Sequence, residues 1–274
     1  MSGRHLNIKQ NDNGVFYNAG LEDLIHRNSL LDFDRLMALS EGEVVKHAVP
    51  ERKTVRFYLE NDDGPVEAYL KRIYPLSLTR FFTQVLKLSL PGTALDEFTN
   101  ITAFHRAGLP TMIPVAAGRR RFGLFRTESF LVTKSIEGCE RLDDFFSRFK
   151  NVPTEDKRGL IRKVALLVKK MHECGFNHRD LYLCHILLDS RGRLFLVDLH
   201  RVDKRGKVPE RWKVKDIAAL NYSAAQCSIT RTDRLRFLKD YLGTDRLSGA
   251  EKLFSLKVLK KTEKMVKHNT NRER

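Results

Sequence analysis

Two aspartates, Asp180 and Asp198, carry the chemistry that this sequence suggests. Asp180 closes the tripeptide His178-Arg179-Asp180, and Asp198 lies 18 positions later at the end of an apolar segment. This spacing suits a hairpin that folds back and brings both carboxylates to one cleft. Phosphoryl transfer from ATP needs one carboxylate to orient the acceptor hydroxyl and a second to hold magnesium against the β- and γ-phosphates. We therefore assign Asp180 to the hydroxyl and Asp198 to Mg²⁺, with Arg179 and His178 as the other candidate catalytic residues of the tripeptide.

The segments around both aspartates are typical of strands and turns. Leu194, Leu196 and Leu199 indicate an apolar strand that delivers Asp198, and a turn at Asp189–Gly192 joins it to the preceding strand. An HRD-type catalytic loop followed by a metal-binding aspartate at a strand end is also the arrangement of the protein-kinase signature. The alternative is that the HRD tripeptide lies at the surface and that Asp198 is a strand-end charge without function.

A long helix is predicted immediately before the HRD loop, over Thr154–Cys174. Pro153 precedes it, Thr154 can cap it and Gly175 ends it. Its apolar residues recur at helical spacing on one face. A buried helix of this kind would deliver a rigid loop, which catalysis needs.

The first third of the chain reads as a small antiparallel sheet followed by a helix. Lys71 ends the third predicted strand, where a kinase N-lobe has the lysine that pairs with the α- and β-phosphates. Glu97 begins the helix and can hold this lysine against the nucleotide, although Asp96 competes for that role. A solvated lysine at a strand end is the alternative. The predicted strands contain Val44-Val45, then Val55, Phe57 and Leu59, then Val66, Ala68 and Leu70.

Two further segments are candidates for contacts with the nucleotide. The turn that contains Arg52 and Lys53 can cover the phosphates with charge, because no G-x-G-x-x-G motif is present nearby. The segment Lys134–Gly138 falls where a kinase hinge connects two lobes. The backbone groups of Lys134 and Ile136 are therefore candidates for hydrogen bonds to adenine.

Four other segments have a readable pattern. Leu78–Leu90 is an apolar helix candidate that is either buried or leans on a membrane interface. Arg119–Arg121 is predicted to be a hairpin turn. Asp216 is predicted to start a helix, where it either braces the HRD loop from below or complements the helix dipole. Glu251–His268 is predicted to be a basic amphipathic helix.

Composition limits the class of protein. An apolar content of 42% with 9% aromatic residues indicates a globular chain, and the formal charge of +16 implies an anionic partner. The four cysteines have no disulfide or C-x-x-C spacing, which favours reduced thiols in the cytoplasm. Neither a signal peptide nor a membrane-spanning segment is expected.

These patterns together predict an α+β fold of two lobes like that of a protein kinase, with a small antiparallel-sheet N-lobe and a mainly helical C-lobe. The predicted parts are a polar arm over 1–30 with a short helix near Leu21–His26, an N-lobe over 31–134, a C-lobe over 135–250, and a basic helix and tail over 251–274.

Four strings in this sequence resemble the bacterial lipopolysaccharide core heptose kinases of the WaaP type. They are Asn177–His185, Val197–Arg201, Pro209–Trp212 and Lys215-Asp216, within a resemblance that covers roughly residues 40 to 245. The resemblance implies ATP-dependent phosphorylation of an inner-core heptose hydroxyl. It also implies a peripheral protein at the cytoplasmic face of the inner membrane, with the lipid A–core oligosaccharide and the anionic membrane surface as partners.

Three residues depart from the protein-kinase pattern. His185 stands where an asparagine metal ligand is expected, so the second ligand of Mg²⁺ is an imidazole or one metal is held differently. Tyr182 stands where a lysine would contact the γ-phosphate. His200 replaces the glycine of the DFG motif.

Several rival functions remain at this point. A protein kinase is the nearest, but the ten residues between Asp198 and Pro209 are few for a peptide platform and contain no Ser, Thr or Tyr. Their basic residues suit an anionic acceptor instead. The types of Cys174, His178, Cys184 and His185 suit zinc, although their spacing matches no structural zinc pattern.

The charge alone leaves two partners open. No nucleic-acid-binding signature is present, so nucleic acid is not expected as a partner. Attraction to anionic lipid and substrate explains the charge, and docking to an acidic carrier protein is equally compatible with it. A kinase without activity is a further alternative, because His185 and Tyr182 depart from the catalytic pattern.

Overall fold

The chain divides into two compact units, Met1–Ile136 and Glu137–Arg274. The first is built on an antiparallel sheet and the second is mainly helical, which confirms the predicted α+β class. The predicted helix at Leu78–Leu90 lies outside the described residues. This computed structural model describes residues 6–49, 51–75, 92–122, 126–148 and 154–270.

The sheet of the first unit is antiparallel throughout its described strands. These strands are β1 Ile8–Gln10, β2 Phe16–Asn18, β3 Glu43–Val49, β4 Arg52–Leu59, β5 Val66–Ile73, β6 Ile113–Phe122 and β7 Arg126–Lys134. Among the described residues they form a sheet in the order β1-β2-β6-β7-β5-β4-β3. Strands β3, β4 and β5 confirm the three strands that the alternation of apolar residues predicts.

Residues 6–30 belong to this unit and do not form an arm. Residues 6–30 contribute β1, β2 and the helix α1 (Glu22–Arg27), which confirms the short predicted helix. Val15, Ile25 and Leu30 are almost fully buried in the core of the unit. The predicted polar arm is therefore wrong over these residues, because a few well-spaced apolar side chains are enough to fix a polar segment.

The basic run Arg119–Arg121 lies inside β6 and not in a turn. Arg119 and Arg121 pair with Ser129 and Thr127 across the β6–β7 ladder. The side chain of Arg120 stacks on the ring of Phe33 and forms an ion pair with Asp34, both in the helix α2 (Phe33–Ala38). Because α2 supports this basic side chain, the strand continues past the predicted turn.

The last helix of the first unit, α3, runs from Ala94 to Arg106. Its N-terminus is a capping box: the Asp96 carboxylate accepts a hydrogen bond from the Thr93 amide, and the Asp96 amide donates to the Thr93 hydroxyl. Asp96 is therefore occupied at the end of the helix. Glu97, the next residue, is almost fully buried.

The second unit has two small sheets and five described helices. Its strands are β8 Cys139–Arg141, β9 Phe176–Asn177, β10 Ile186–Asp189, β11 Leu194–Leu196 and β12 Asp203–Lys204. They pair antiparallel in the orders β11-β10-β8 and β12-β9. The helices are α4 Leu142–Arg148, α5 Thr154–Glu173, α6 Glu210–Ala224, α7 Arg231–Leu242 and α8 Gly249–Thr270. Within the described part of the chain, no helix has the length and apolarity needed to cross a membrane.

The helices of the second unit confirm one prediction and correct another. Helix α5 confirms the predicted helix before the HRD loop. Helix α6 begins at Glu210, so Asp216 lies in its interior and is buried, and the prediction that Asp216 complements the N-terminal dipole is wrong. The predicted basic helix is confirmed as α8, which packs against α6, where the buried hydroxyl of Thr262 accepts a hydrogen bond from Asn221.

Gly175 allows a close approach of two backbone segments directly before the HRD loop. It has a φ of 85°, and its carbonyl accepts a hydrogen bond of 2.8 Å from the Arg205 amide. A Cβ atom at this position would overlap with the carbonyl oxygen of Arg205. Only glycine therefore lets β9 and β12 pair as they do.

We expect Gly175→Ala to destabilise the protein more than Gly138→Ala does. Gly138 also has a positive φ, of 62°, but open space lies around the position of its Cβ. The left-handed backbone costs about 1–2 kcal/mol in both variants, and only Gly175→Ala adds the overlap with Arg205. Urea unfolding followed by circular dichroism measures both losses, and equal losses would contradict the close approach.

Candidate active site

The HRD loop and the end of β11 both contain backbone in the left-handed region. Arg179 has a φ of 70° and Asp198 a φ of 60°, and among the described non-glycine residues only Ser29 shares a positive φ. Such backbone costs roughly 1–3 kcal/mol per residue and persists where the surroundings impose it. Strain of this kind clusters at functional sites, and here it falls on the two predicted catalytic segments.

Asp216 imposes the conformation of the HRD loop. One carboxylate oxygen accepts a hydrogen bond of 2.7 Å from the His178 amide, and the other accepts one of 2.8 Å from the Arg179 amide. The ring of His172, on α5, donates to the same carboxylate at 3.2 Å and lies 2.9 Å from the hydroxyl of Tyr241, on α7. The prediction that Asp216 braces the loop is confirmed, and α5, α6 and α7 all contribute to the brace.

His178 connects the HRD loop to the segment that carries Asp198. It is fully buried, and its Nε2–H donates 3.1 Å to the carbonyl of Val197. Burial, the largest influence, lowers the pKa of His178 below its ordinary value, although the charge of Asp216 opposes this shift. A neutral, buried imidazole suits a positioning role for this residue of the predicted catalytic set.

The carboxylate of Asp180 accepts hydrogen bonds from Arg201. Nη1 of Arg201 lies 2.8 Å from one carboxylate oxygen and 3.0 Å from the other. The side chain of Asp180 is 17% exposed, and that of Arg201 is 47% exposed. The predicted catalytic aspartate is therefore reachable from solvent and paired with a cation, a contact that the sequence did not suggest.

Two histidines face the carboxylate of Asp198. Nδ1–H of His200 donates 2.7 Å to one oxygen, and Nε2 of His185 lies 3.5 Å from the other. His185 also donates from Nδ1 to the backbone carbonyl of Asp180 at 2.7 Å. The imidazole of His185 thus joins the two segments that carry the predicted catalytic carboxylates.

The pKa of His185 lies above its ordinary value. Burial is the largest single influence and lowers the pKa, but the hydrogen bonds to Cys184 and to the Asp180 carbonyl, together with the negative charges nearby, outweigh it. The ring therefore binds a proton more tightly than an isolated histidine does. This protonation competes with the binding of a metal ion at Nε2.

The predicted metal ligands fit magnesium unequally. Mg²⁺ prefers hard oxygen ligands, and Asp198 offers a carboxylate at a strand end. The imidazole of His185 is a poorer donor for this ion. No group of three His, Cys, Asp or Glu side chains in the described parts of the chain is arranged to hold a metal, and this includes the predicted zinc alternative.

In the first unit, Lys71 forms an ion pair with Glu97. Nζ of Lys71, on β5, lies 2.6 Å from a carboxylate oxygen of Glu97, on α3. The lysine side chain is 23% exposed and the glutamate 2% exposed, so the glutamate is held inside the unit and the ammonium reaches its surface. The competing residue, Asp96, is used in the helix cap.

The other predicted nucleotide residues lie at the ends of strands. Arg52 and Lys53 are the first residues of β4 and pair with Ile73 and Arg72, so they follow the turn instead of forming it. Lys134 ends β7, and the following amide, that of Ser135, donates 2.9 Å to the Glu67 carbonyl. The roles of Arg52, Lys53, Lys134 and Ile136 stay predictions.

The comparisons with known proteins identify the family. The model of the lipopolysaccharide kinase (Kdo/WaaP) family matches residues 37–241. The chain belongs to this family. It is 40% identical over 164 residues to the lipopolysaccharide core heptose(I) kinase WaaP of Pseudomonas aeruginosa, and the matched segment covers 57% of this chain and 61% of that protein. It is 32% identical over 212 residues to the enzyme of the same name from Escherichia coli K12, which covers 74% of this chain and 78% of the relative.

A solved structure of a WaaP protein is also similar to this chain. The structure is of WaaP in complex with acyl carrier protein, with a TM-score of 0.68 and 30% sequence identity, and it matches over 94% of this chain and 99% of the other. The similarity confirms the predicted kinase-like fold class. As a member of the Kdo/WaaP kinase family, the protein is a phosphotransferase that uses ATP.

A cluster of cations around Trp212 was not predicted from the sequence of this kinase. The charged groups lie 5.1 to 5.6 Å from the centre of the indole ring, within range of cation–π attraction. They belong to Arg179, Arg205, Arg211 and Lys215. The seven basic residues from Arg201 to Lys215 signal the charge, but their convergence on one ring depends on the fold.

In this kinase we expect Asp216→Asn to lower both stability and activity. The asparagine amide has one oxygen, so it accepts from one backbone N–H group of the loop while its NH₂ faces the other N–H. Losing a buried charged acceptor costs about 1.5–3 kcal/mol. Thermal unfolding and phosphate transfer to lipopolysaccharide measure the two effects. Asp245→Asn, at an exposed position, is the matched control, and an Asp216 variant as stable as this control would contradict the brace.

Proposed function

We propose that this protein transfers the γ-phosphoryl group of ATP to a heptose hydroxyl of the lipopolysaccharide inner core. The single observation that carries the proposal is the joined arrangement of the Asp180 and Asp198 segments through His185, on a loop braced by Asp216, in a chain of this family. The two relatives described above are heptose(I) kinases, which favours heptose as the acceptor.

Each residue that matches the kinase pattern has a role in this proposal. Asp180 orients the acceptor hydroxyl and receives its proton. Lys71 holds the α- and β-phosphates, and Glu97 fixes the position of its ammonium group. Asp198 would hold Mg²⁺, which neutralises charge on the phosphates when it is bound.

The cations around Trp212 support an anionic acceptor. Trp212 lies on α6, one turn before the Asp216 brace, and Arg179 of the HRD loop stacks on its ring. The indole N–H of Trp212 is buried and has no hydrogen-bond partner in the described part of the chain. Core sugars that carry acidic keto-sugars and lipid A phosphates offer the carboxylates and phosphates that such cations bind.

A peripheral position at the cytoplasmic face of the inner membrane follows from this acceptor. The acceptor is attached to a lipid, and a formal charge of +16 favours binding to an anionic surface. An acidic carrier protein is a second proposed partner, since the similar WaaP structure is a complex with acyl carrier protein. Both partners are anionic and would bind the protein through its basic residues.

The rival function, phosphorylation of protein, has less support. The segment between Asp198 and Pro209 forms a single-turn helix at Leu199–Arg201 and the strand β12, which pairs with β9 beside the HRD loop. It is therefore short and held at both ends. A peptide platform of the protein-kinase type needs a longer segment.

We expect Glu97→Gln to raise the KM for ATP about tenfold while Asp96→Asn leaves it near the wild-type value. The first variant removes the charge that fixes Lys71, and a hydrogen bond between charged groups contributes about 1.5–3 kcal/mol. The second weakens only a helix cap, which costs about 1 kcal/mol of stability. Steady-state kinetics with varied ATP measures both, and equal KM values in the two variants would reject the role of Glu97.

Labelled ATP tests the function itself. We expect the purified protein to phosphorylate lipopolysaccharide that ends at the inner core and not peptide pools, and Asp180→Asn to lower the rate about 10²–10⁴-fold, the usual contribution of a positioned base. Mass spectrometry of the product identifies the phosphorylated sugar. Labelling of peptides alone would favour the rival function, and phosphate on the acidic keto-sugar would replace heptose as the acceptor.

A further inference from the structure

The contact between Arg201 and Asp180 brings a cation to the carboxylate that orients the acceptor hydroxyl. Both carboxylate oxygens accept from the same nitrogen, Nη1, at 2.8 and 3.0 Å. The other guanidinium nitrogens, Nη2 and Nε, have no hydrogen-bond partner among the described residues. Arg201 can therefore bind a second oxyanion without leaving Asp180.

The surroundings of this pair carry more positive than negative charge. Lys215 is half-buried and has no ion-pair partner in the described part of the chain, and its ammonium lies over the Trp212 ring. Burial, the largest influence, and then the charge of Arg201 lower the pKa of Lys215, although Asp180 opposes the shift. An oxyanion beside Arg201 would balance this excess of charge.

The side chain at the position where protein kinases have a phosphate-binding lysine carries no positive charge here. In protein kinases a lysine two residues after the catalytic aspartate contacts the γ-phosphate, and here that residue is Tyr182. Its ring is half-buried and packs edge-on against the rings of His185 and Tyr222, at 6.1 and 6.4 Å between centroids. Arg201 brings a guanidinium to the same carboxylate from a position 21 residues further along the chain.

We propose that Arg201 is a catalytic residue that binds the oxygens of the transferred phosphoryl group in place of the missing lysine. The inference rests on the proposed role of Asp180. An acceptor hydroxyl bound to Asp180 lies about 3 Å from a carboxylate oxygen and about 3–3.5 Å from the phosphorus that it attacks. The guanidinium of Arg201 is held 2.8 Å from the same carboxylate, so the cation and the attacked phosphorus meet at Asp180.

The step balances with the groups named. The acceptor oxygen forms a bond to the γ-phosphorus as the bond between this phosphorus and the β-γ bridging oxygen breaks, and ADP leaves with that electron pair. The hydroxyl proton passes to Asp180. Arg201 stabilises the negative charge that is spread over the equatorial oxygens of the phosphoryl group during transfer.

The test compares Arg201→Gln and Arg201→Lys with Arg191→Gln, a control at an exposed arginine in the β10–β11 turn. We expect Arg201→Gln to lower kcat about 10²–10³-fold, as the loss of one donor to a developing oxyanion does, with the KM for the acceptor changed less than threefold. Arg201→Lys keeps the charge and should retain more than a tenth of the wild-type kcat. Arg191→Gln should match the wild type.

Replacing ATP with ATPγS separates a direct contact from an indirect effect through Asp180. If Arg201 contacts the γ-oxygens, the ratio of rates with ATP and ATPγS falls toward one in Arg201→Gln. An unchanged ratio would mean that Arg201 only positions Asp180, and the proposal would be overturned. A rise in the acceptor KM with kcat intact would overturn it as well, because Arg201 would then bind an anionic group of the acceptor.

Two further comparisons keep the outcome clear. If Asp180→Asn is as active as the wild type, the proposed function of the loop fails, whereas an inactive Asp180→Asn beside a fully active Arg201→Gln overturns this inference alone. If thermal unfolding shows that Arg201→Gln does not fold, the ratio of rates in Arg201→Lys decides: a ratio equal to that of the wild type overturns the proposal, and a changed ratio supports it.

Discussion

The geometry of the second unit depends on the carboxylate of Asp216. It holds the amides of His178 and Arg179, and so fixes a loop whose backbone is strained at Arg179. Hydrogen bonds to a charged acceptor stabilise by about 1.5–3 kcal/mol each, against a strain of roughly 1–3 kcal/mol. Two such bonds outweigh the strain, so the loop is rigid before any substrate binds.

This brace also determines which helices matter to the site. Asp216 is buried inside α6, and His172 connects it to α5 while its second nitrogen lies against Tyr241 of α7. The three helices are thus joined by one polar network below the loop. Core packing in this unit therefore positions chemistry as well as supporting the fold.

The sequence predicted those parts of the protein that depend on local patterns. The hairpin that carries Asp198, helix α5 and the pair of Lys71 with Glu97 all follow from spacing and periodicity. Asp96 was excluded only by the capping box with Thr93, which requires the helix start to be known to one residue. Element boundaries are the least certain result of any pattern.

The features that the sequence did not predict depend on tertiary contacts. Asp216 looked like the first residue of a helix, because α6 begins with a basic segment that hides its apolar face. The pairing of Arg201 with Asp180 and the cations around Trp212 bring together residues that no periodicity links. Burial of the N-terminal residues likewise depends on a sheet formed by strands that are far away in sequence.

The pairing of β12 with β9 has a consequence for control of the enzyme. The segment that follows Asp198 pairs through β12 with β9, the strand before the HRD loop. The ten residues between Asp198 and Pro209 include no hydroxyl side chain. It offers no place for the covalent on–off mark that many signalling kinases carry there. An activating phosphate of that kind would need a hydroxyl introduced into this segment or a site elsewhere in the chain.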